Sequence, residues 1–118
     1  MKKENRIKKS HEIASIVKLR NKVFSNNYVV YFQQNSLDKN RFAVSVSKKI
    51  GKANVRNKVK RITRNLFRHE LDNLKCVNVV VVAKDDLSKV SFEELKNEVS
   101  FLIKLINKKI RSKNNEKK

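Results

Sequence analysis

Residues 45–68 read SVSKKIGKANVRNKVKRITRNLFR. Val55, Val59, Ile62 and Leu66 recur at four- and three-residue steps, the spacing of one helical face, and predict a helix from about Val55 to Leu71. The opposite side is cationic. Arg56, Lys60 and Arg64 step by four residues, and Arg61 and Arg68 widen the same stripe. Lys48, Lys49 and Lys52 carry the charge back into a basic loop, Lys48 to Asn54, which holds the only glycine, Gly51. From Lys39 to His69 there are eleven Lys and Arg and no Asp or Glu. A surface helix usually interleaves acids to form i,i+4 pairs, so the counter-charge for this one lies outside the chain. Phosphate is the group that fits.

Composition bounds the rest. A chain of 118 residues makes one domain with a modest core. Its net charge of +19 points to a polyphosphate backbone as partner. No apolar run approaches the roughly 20 residues of a spanning helix, so no membrane role is expected. MKKENRIKKS lacks the apolar stretch of a secretory signal, and the single cysteine, Cys76, forms no internal disulfide. Both fit a cytoplasmic setting.

Outward from the decisive stretch the chain alternates short elements. Residues 1–9 and 111–118 are basic tails with nothing to bury and are expected to be flexible. Ser10 is the expected N-cap of a helix through about Leu19, with Ile13, Ile16 and Val17 on one face. Arg20 to Asn27 reads as polar loop. Tyr28 to Gln34 (YVVYFQQ) reads as a strand, and Asn35 to Asn40 as a turn making a hairpin into a strand from Arg41 to Ser47. Alternation points Phe42, Val44 and Val46 to one side and Arg41, Ala43, Ser45 and Ser47 to the other, implying one packed and one open face. Cys76 to Ala83 (CVNVVVVA) reads as a central strand buried on both faces, partly parallel. Ser91 and Glu94 form a capping box for a last helix whose Leu95, Val99, Leu102 and Ile106 face the sheet. The fold class is α+β, a small sheet packed with three helices. Strand, basic helix and strand make a βαβ unit, for which the general rule expects a right-handed crossover.

The candidate chemistry is binding rather than bond breaking. Val29, Tyr31 and Gln33 share a face of the first strand, and Ala43, Ser45 and Ser47 a face of the second. If the two faces coincide they make a shallow groove for an extended single strand, with Ile13 and Val17 as a wall. Ordinary packing of the first helix on the sheet is the alternative. Asn57, within the stripe, offers an amide to a base edge or a 2′-hydroxyl, or is a plain surface residue. His11 and His69 as an acid–base pair, and Asp85 with Asp86 as metal ligands, have no constellation around them and read as surface and turn residues. Cys76 reads as core.

The run RFAVSVSKKIGKANVRNKVKRITRNLF closely resembles the signature of the bacterial ribonuclease P protein subunit, an Arg-Asn followed by a basic helix, here Arg56-Asn57-Lys58-Val59-Lys60-Arg61-Ile62-Thr63-Arg64. Ser45-Val46-Ser47-Lys48-Lys49 and Ala53 also sit where that family has them. The resemblance extends from about Asn5 to Ile110. It implies a mixed sheet of about four strands and a left-handed βαβ crossover, against the general rule. It implies a subunit that partners a large catalytic RNA, which uses Mg2+ to cut precursor tRNA and release the 5′ leader. The active site would be in the RNA, with the Mg2+ held mainly by the RNA, none expected on the protein alone and no obligatory protein partner. Lys48, Lys49, Lys52, Arg56, Asn57, Lys60, Arg61, Arg64 and Arg68 would dock on that RNA. Ile13, Val17, Val29, Tyr31, Ser45 and Ser47 would hold the leader. Ile13 and Val17 stand where relatives commonly carry aromatics, leaving Tyr31 as the main stacking ring. Asn54 replaces a usually apolar residue and is placed to cap the helix. A purely structural ribosomal-RNA-binding protein is the alternative function.

Overall fold

A strand that is apolar on both sides belongs where both sides are covered and both edges are paired. In the computed structural model, which describes residues 6–7, 9–19, 21–35 and 39–116 (only the backbone of 88 and 112–116), Val77–Ala83 takes that place. In chain order the elements are α1 (Ser10–Lys18), β1 (Lys22–Phe24), β2 (Tyr28–Gln34), β3 (Arg41–Val46), α2 (Ala53–Glu70), β4 (Val77–Ala83) and α3 (Phe92–Glu116), with short 3-10 turns at Lys48–Ile50, Leu71–Asn73 and Leu87–Lys89. The sheet order is β1-β2-β4-β3. β4 runs antiparallel to β2 and parallel to β3, so β3, α2 and β4 form a crossover unit.

The expected hairpin from β2 into β3 is therefore not formed. β4 lies between them, because placing this apolar strand on an edge would leave one side of its backbone unpaired. The connection is instead tied to the far end of the crossover. Asn40 Nδ2 donates to the carbonyls of Leu71 (2.7 Å) and Leu74 (2.8 Å), and its Oδ1 accepts from Val77 N at 3.0 Å.

Alternation along the strands gives the sheet two different faces. Tyr28, Val30, Phe32, Phe42, Val79 and Val81 are buried on the first, beneath α2 and α3. There Phe67 of α2 meets Tyr28 edge-on at 5.8 Å and stacks on Phe42 at 5.5 Å. The Tyr28 hydroxyl is hydrogen-bonded to Thr63 Oγ1 at 3.0 Å. Burial pushes the Tyr28 phenol up to about 12, against the Thr63 hydrogen bond, which pulls it down. On the second face α1 buries Ile16 against Ala43 and Val80, with Ile13, Val17 and Tyr31 half-buried around them. All four apolar residues expected to seat α3, Leu95, Val99, Leu102 and Ile106, are buried.

Local departures from the sequence reading have local causes. The polar loop expected at Arg20 to Asn27 contains β1, in which one residue, Val23, is buried between two exposed neighbours; three residues are too few for a periodic signal. Lys9, not Ser10, occupies the N-cap of α1, and no side chain caps it. α2 begins at Ala53, so Asn54 is inside the helix, its Oδ1 accepting from Val55 N at 3.0 Å, rather than capping it. Gly51 precedes it at φ 156°, where a Cβ would lie 3.3 Å from Val55. Ser91 does cap α3, accepting from Glu94 N at 3.1 Å. Parts of the two expected tails join elements of the fold. Arg6 bridges Phe42 on the β3 edge, with Ile7 buried and donating to the Phe42 carbonyl at 2.9 Å. α3 continues helical past Ile110 to Glu116. Residues 1–5, 8, 117 and 118 lie outside the described residues.

Candidate nucleic-acid interface

α2 buries Val59, Thr63, Leu66 and Phe67, and that commitment turns its other side outward. Arg61 and Arg68 are exposed on it, as is Asn57, while Arg56, Lys60 and Arg64 are half-exposed. Upstream, exposed Lys48 and Lys49 sit on the 3-10 turn that Ser47 caps, its Oγ accepting from Lys49 N at 3.2 Å, and exposed Lys52 is the N-cap of α2. The cations expected to dock on RNA thus form one continuous ridge. Among the described residues none of them forms an ion pair; the pair found there, Arg41 with Glu12 at 2.7 Å, joins β3 to α1. Arg56 Nε is buried and has no hydrogen-bond partner among the described residues.

One contributor was not legible beforehand. Arg61, Arg64, Asn65 and Arg68 line a concavity of about 250 Å³ together with Arg6. Four guanidinium groups around one hollow repel each other unless an anion is shared between them. Arg6 reaches it only because the N-terminal segment docks on the β3 edge, an association no local spacing announces.

On the second sheet face the registers decide whether the strand faces coincide, and they do. Val29 pairs with Val82 and Val82 with Ser45; Tyr31 pairs with Val80 and Val80 with Ala43; Gln33 pairs with Asn78 and Asn78 with Arg41. α1 lies over the middle of this face, where Ile13 and Val17 pack beside Tyr31. At the Gln33–Arg41 end, Arg41 Nη1 donates to Glu12 Oε2 and pins α1 to β3. Arg41 holds the Glu12 carboxyl below its ordinary value, chiefly through that hydrogen bond. The Val29–Val82–Ser45 end is uncovered, with Ser45 and Ser47 exposed and Val29 and Val82 half-buried. Ile13, Val17, Val29, Tyr31, Ser45 and Ser47 are thereby brought to one face. Val82 belongs in the floor and was missed, because the apolar run around it hid which face it serves.

His11 is on α1 and His69 on α2, helices that cover opposite faces of the sheet. Asp85 Oδ1 accepts from Asp86 N at 2.7 Å in a turn. Cys76 is half-buried with φ 55° at the entry to β4. No three His, Cys, Asp or Glu gather as a metal cage among the described residues.

Comparison with known proteins gives one answer. The profile of the Ribonuclease P family matches residues 1–107. The ribonuclease P protein component of Clostridium kluyveri is 43% identical over 103 residues, covering 84% of this chain and 91% of that one. That of Bacillus pumilus is 37% identical over 106 residues, covering 88% and 89%. The solved RNase P protein of Staphylococcus aureus superposes with a TM-score of 0.76 at 30% identity, covering 86% of this chain and 94% of that one. For the Thermotoga maritima RNase P protein the TM-score is 0.69 at 31% identity, with 80% and 94% covered. With its basic ridge, half-open sheet and α+β topology, this chain belongs to the bacterial ribonuclease P protein family.

Proposed function

We propose that this chain is the protein subunit of a ribonuclease P holoenzyme, which removes the 5′ leader of precursor tRNA. The observation that carries the reading is the unpaired cationic ridge of α2, continued by Lys48 and Lys49 and joined by Arg6. Its counter-charge is the backbone of the catalytic RNA. The uncovered end of the second sheet face, reached from the ridge through Ser47, takes the single-stranded leader. The protein lowers phosphate repulsion where RNA and substrate meet, and the bond-breaking chemistry belongs to the RNA. The donors here do not fit a protein-held magnesium ion, since the ridge is cationic and no cage of ligands gathers among the described residues. The Mg2+ of the holoenzyme is assigned to the RNA. No helix among the described residues is long and apolar enough to cross a membrane, in keeping with work on RNA in the cytoplasm.

Precursor tRNA incubated with the protein alone, the catalytic RNA alone, and both together at low magnesium tests this directly. Cleavage that needs the RNA and is strongly stimulated by the protein is expected; cleavage by the protein alone overturns it. No stimulation at all returns the chain to a structural RNA-binding role. Affinity for the catalytic RNA should fall with a slope of roughly −3.5 to −4.5 in log K against log salt, for about five neutralised phosphates. Replacing Arg61 and Arg64 by Gln should weaken assembly and reduce that slope by about 2. An unchanged slope removes the two from the docking surface.

A further inference from the structure

The register that builds the open face does not stop at β2. Phe24 of β1 pairs with Val29, so one cross-strand row runs Phe24, Val29, Val82, Ser45. Side chains along such a row leave the sheet on the same side. Phe24 is 65% exposed, the most exposed large apolar side chain among the described residues. Lys84, two residues after Val82, places its Nζ 5.5 Å from the centre of the Phe24 ring and donates to the Ser25 carbonyl at 2.7 Å.

The hairpin carrying this ring is held rigidly from the opposite side. Glu98 of α3 accepts from the Ser25 hydroxyl, from Asn27 N at 3.0 Å and from Asn27 Nδ2 at 2.9 Å. That carboxylate is occupied, and its helix covers the other face. Phe92 and Phe101, also well exposed, lie on α3, and Phe101 shares a hollow with Glu94 and Glu98, which suits no phosphate. Of the exposed aromatics, Phe24 is the one that combines an accessible ring, a fixed cation and the RNA-facing side of the sheet.

We infer that Phe24 and Lys84 form the outer end of the leader groove, the ring stacking a leader base and the ammonium meeting an adjacent phosphate. This rests on the leader reading above and extends it by giving the leader a course. The Ser45 end of the row adjoins Ser47 and the cationic turn at Lys48–Ile50. The leader enters there, close to the docked RNA, and crosses the strands through Val82 and Val29. Three interstrand steps of about 4.8 Å place Phe24 roughly 14 Å away, so only nucleotides remote from the cleavage point reach it.

Reconstituted holoenzyme should be assayed for equilibrium binding of precursor tRNA with no leader, a short leader and a long one. Phe24→Ala is expected to weaken binding of the long-leader substrate about 5- to 150-fold, the range of one lost base stack, and to leave the leaderless substrate unchanged. Phe24→Tyr should restore long-leader binding, and Lys84→Gln should weaken it with a shallower salt slope. If Tyr31→Ala is leader-dependent and Phe24→Ala matches wild type at every length, the outer platform is wrong while the groove stands. If neither is leader-dependent, the leader reading itself falls. Equal loss with and without a leader places Phe24 in some other contact and overturns the inference.

Discussion

The two faces of the sheet are built from alternate residues of the same strands, yet one is sealed and the other half open. On the first, the eighteen residues of α2 and the twenty-five of α3 lie side by side over Tyr28, Phe42 and Val79, each of which is at most 2% exposed. On the second, the nine residues of α1 cover only the rows near Val80 and leave Val29, Val82 and Ser45 accessible. Strand composition produces only part of the contrast: Arg41, Ser45 and Asn78 make the second face more polar, but Val80 and Val82 keep β4 largely apolar there too. Cover completes it. One face is a core, where apolar area leaves water, and the other is a surface whose apolar floor is available to a ligand.

The contrast is broken most severely at Phe67, which touches both Tyr28 and Phe42. Phe67→Ala should cost about 3–5 kcal/mol in urea unfolding, because the helices flanking it cannot collapse into the space. A loss below about 1 kcal/mol would mean the first face is not the core. Tyr28→Phe comes next. It leaves the buried Thr63 hydroxyl without its partner and should cost about 1–3 kcal/mol. It also changes the alkaline profile. With the native phenol raised to about 12 from 10.0, its contribution is full below pH 10.0 and is lost as pH rises toward 12, when the unfolded chain ionises first. Stability of the wild type, followed by circular dichroism, should therefore fall over that window by a component the variant lacks.

The open face should show the reverse balance. Tyr31→Ala removes a half-buried ring and should lower stability by only about 1 kcal/mol. Its main consequence should be weaker binding of precursor tRNA with a long leader, again about 5- to 150-fold, with leaderless substrate unaffected. Comparable losses on both substrates would erase the difference in kind between the faces. The smallest effect is expected at Glu12→Gln, which removes the half-buried pair that pins α1. The native carboxyl is held below 4.5, so its contribution is present above that pH and disappears as pH falls through the lowered value. Thermal midpoints of wild type and variant should differ slightly near neutrality and converge in acid; divergence in acid would contradict the pairing.

How far the chain could be read in advance follows the range of the interactions. α2, β2, β3, β4 and the Ser91 cap were legible because each has its own periodicity or capping pattern. The ridge was legible for the same reason, since residues three and four apart on a helix necessarily share a side. β1 was not, because Lys22–Phe24 is strand only by virtue of its pairing with β2. The position of β3 was misread, since a turn-rich connection of ordinary length favours a hairpin until β4, more than thirty residues later, competes for the place.

The sequence by itself determined that one helix would carry an apolar stripe against the protein and an uncompensated cationic stripe away from it. It determined equally that Val77–Ala83 would be interior. Both are properties of neighbouring residues on a regular backbone. Only the tertiary structure decided that Phe24, Val29, Val82 and Ser45 form one row, and that Arg6 joins Arg61, Arg64 and Arg68 around one hollow. Register and edge docking relate residues distant in the chain, and a shift of one position would send each side chain to the opposite face.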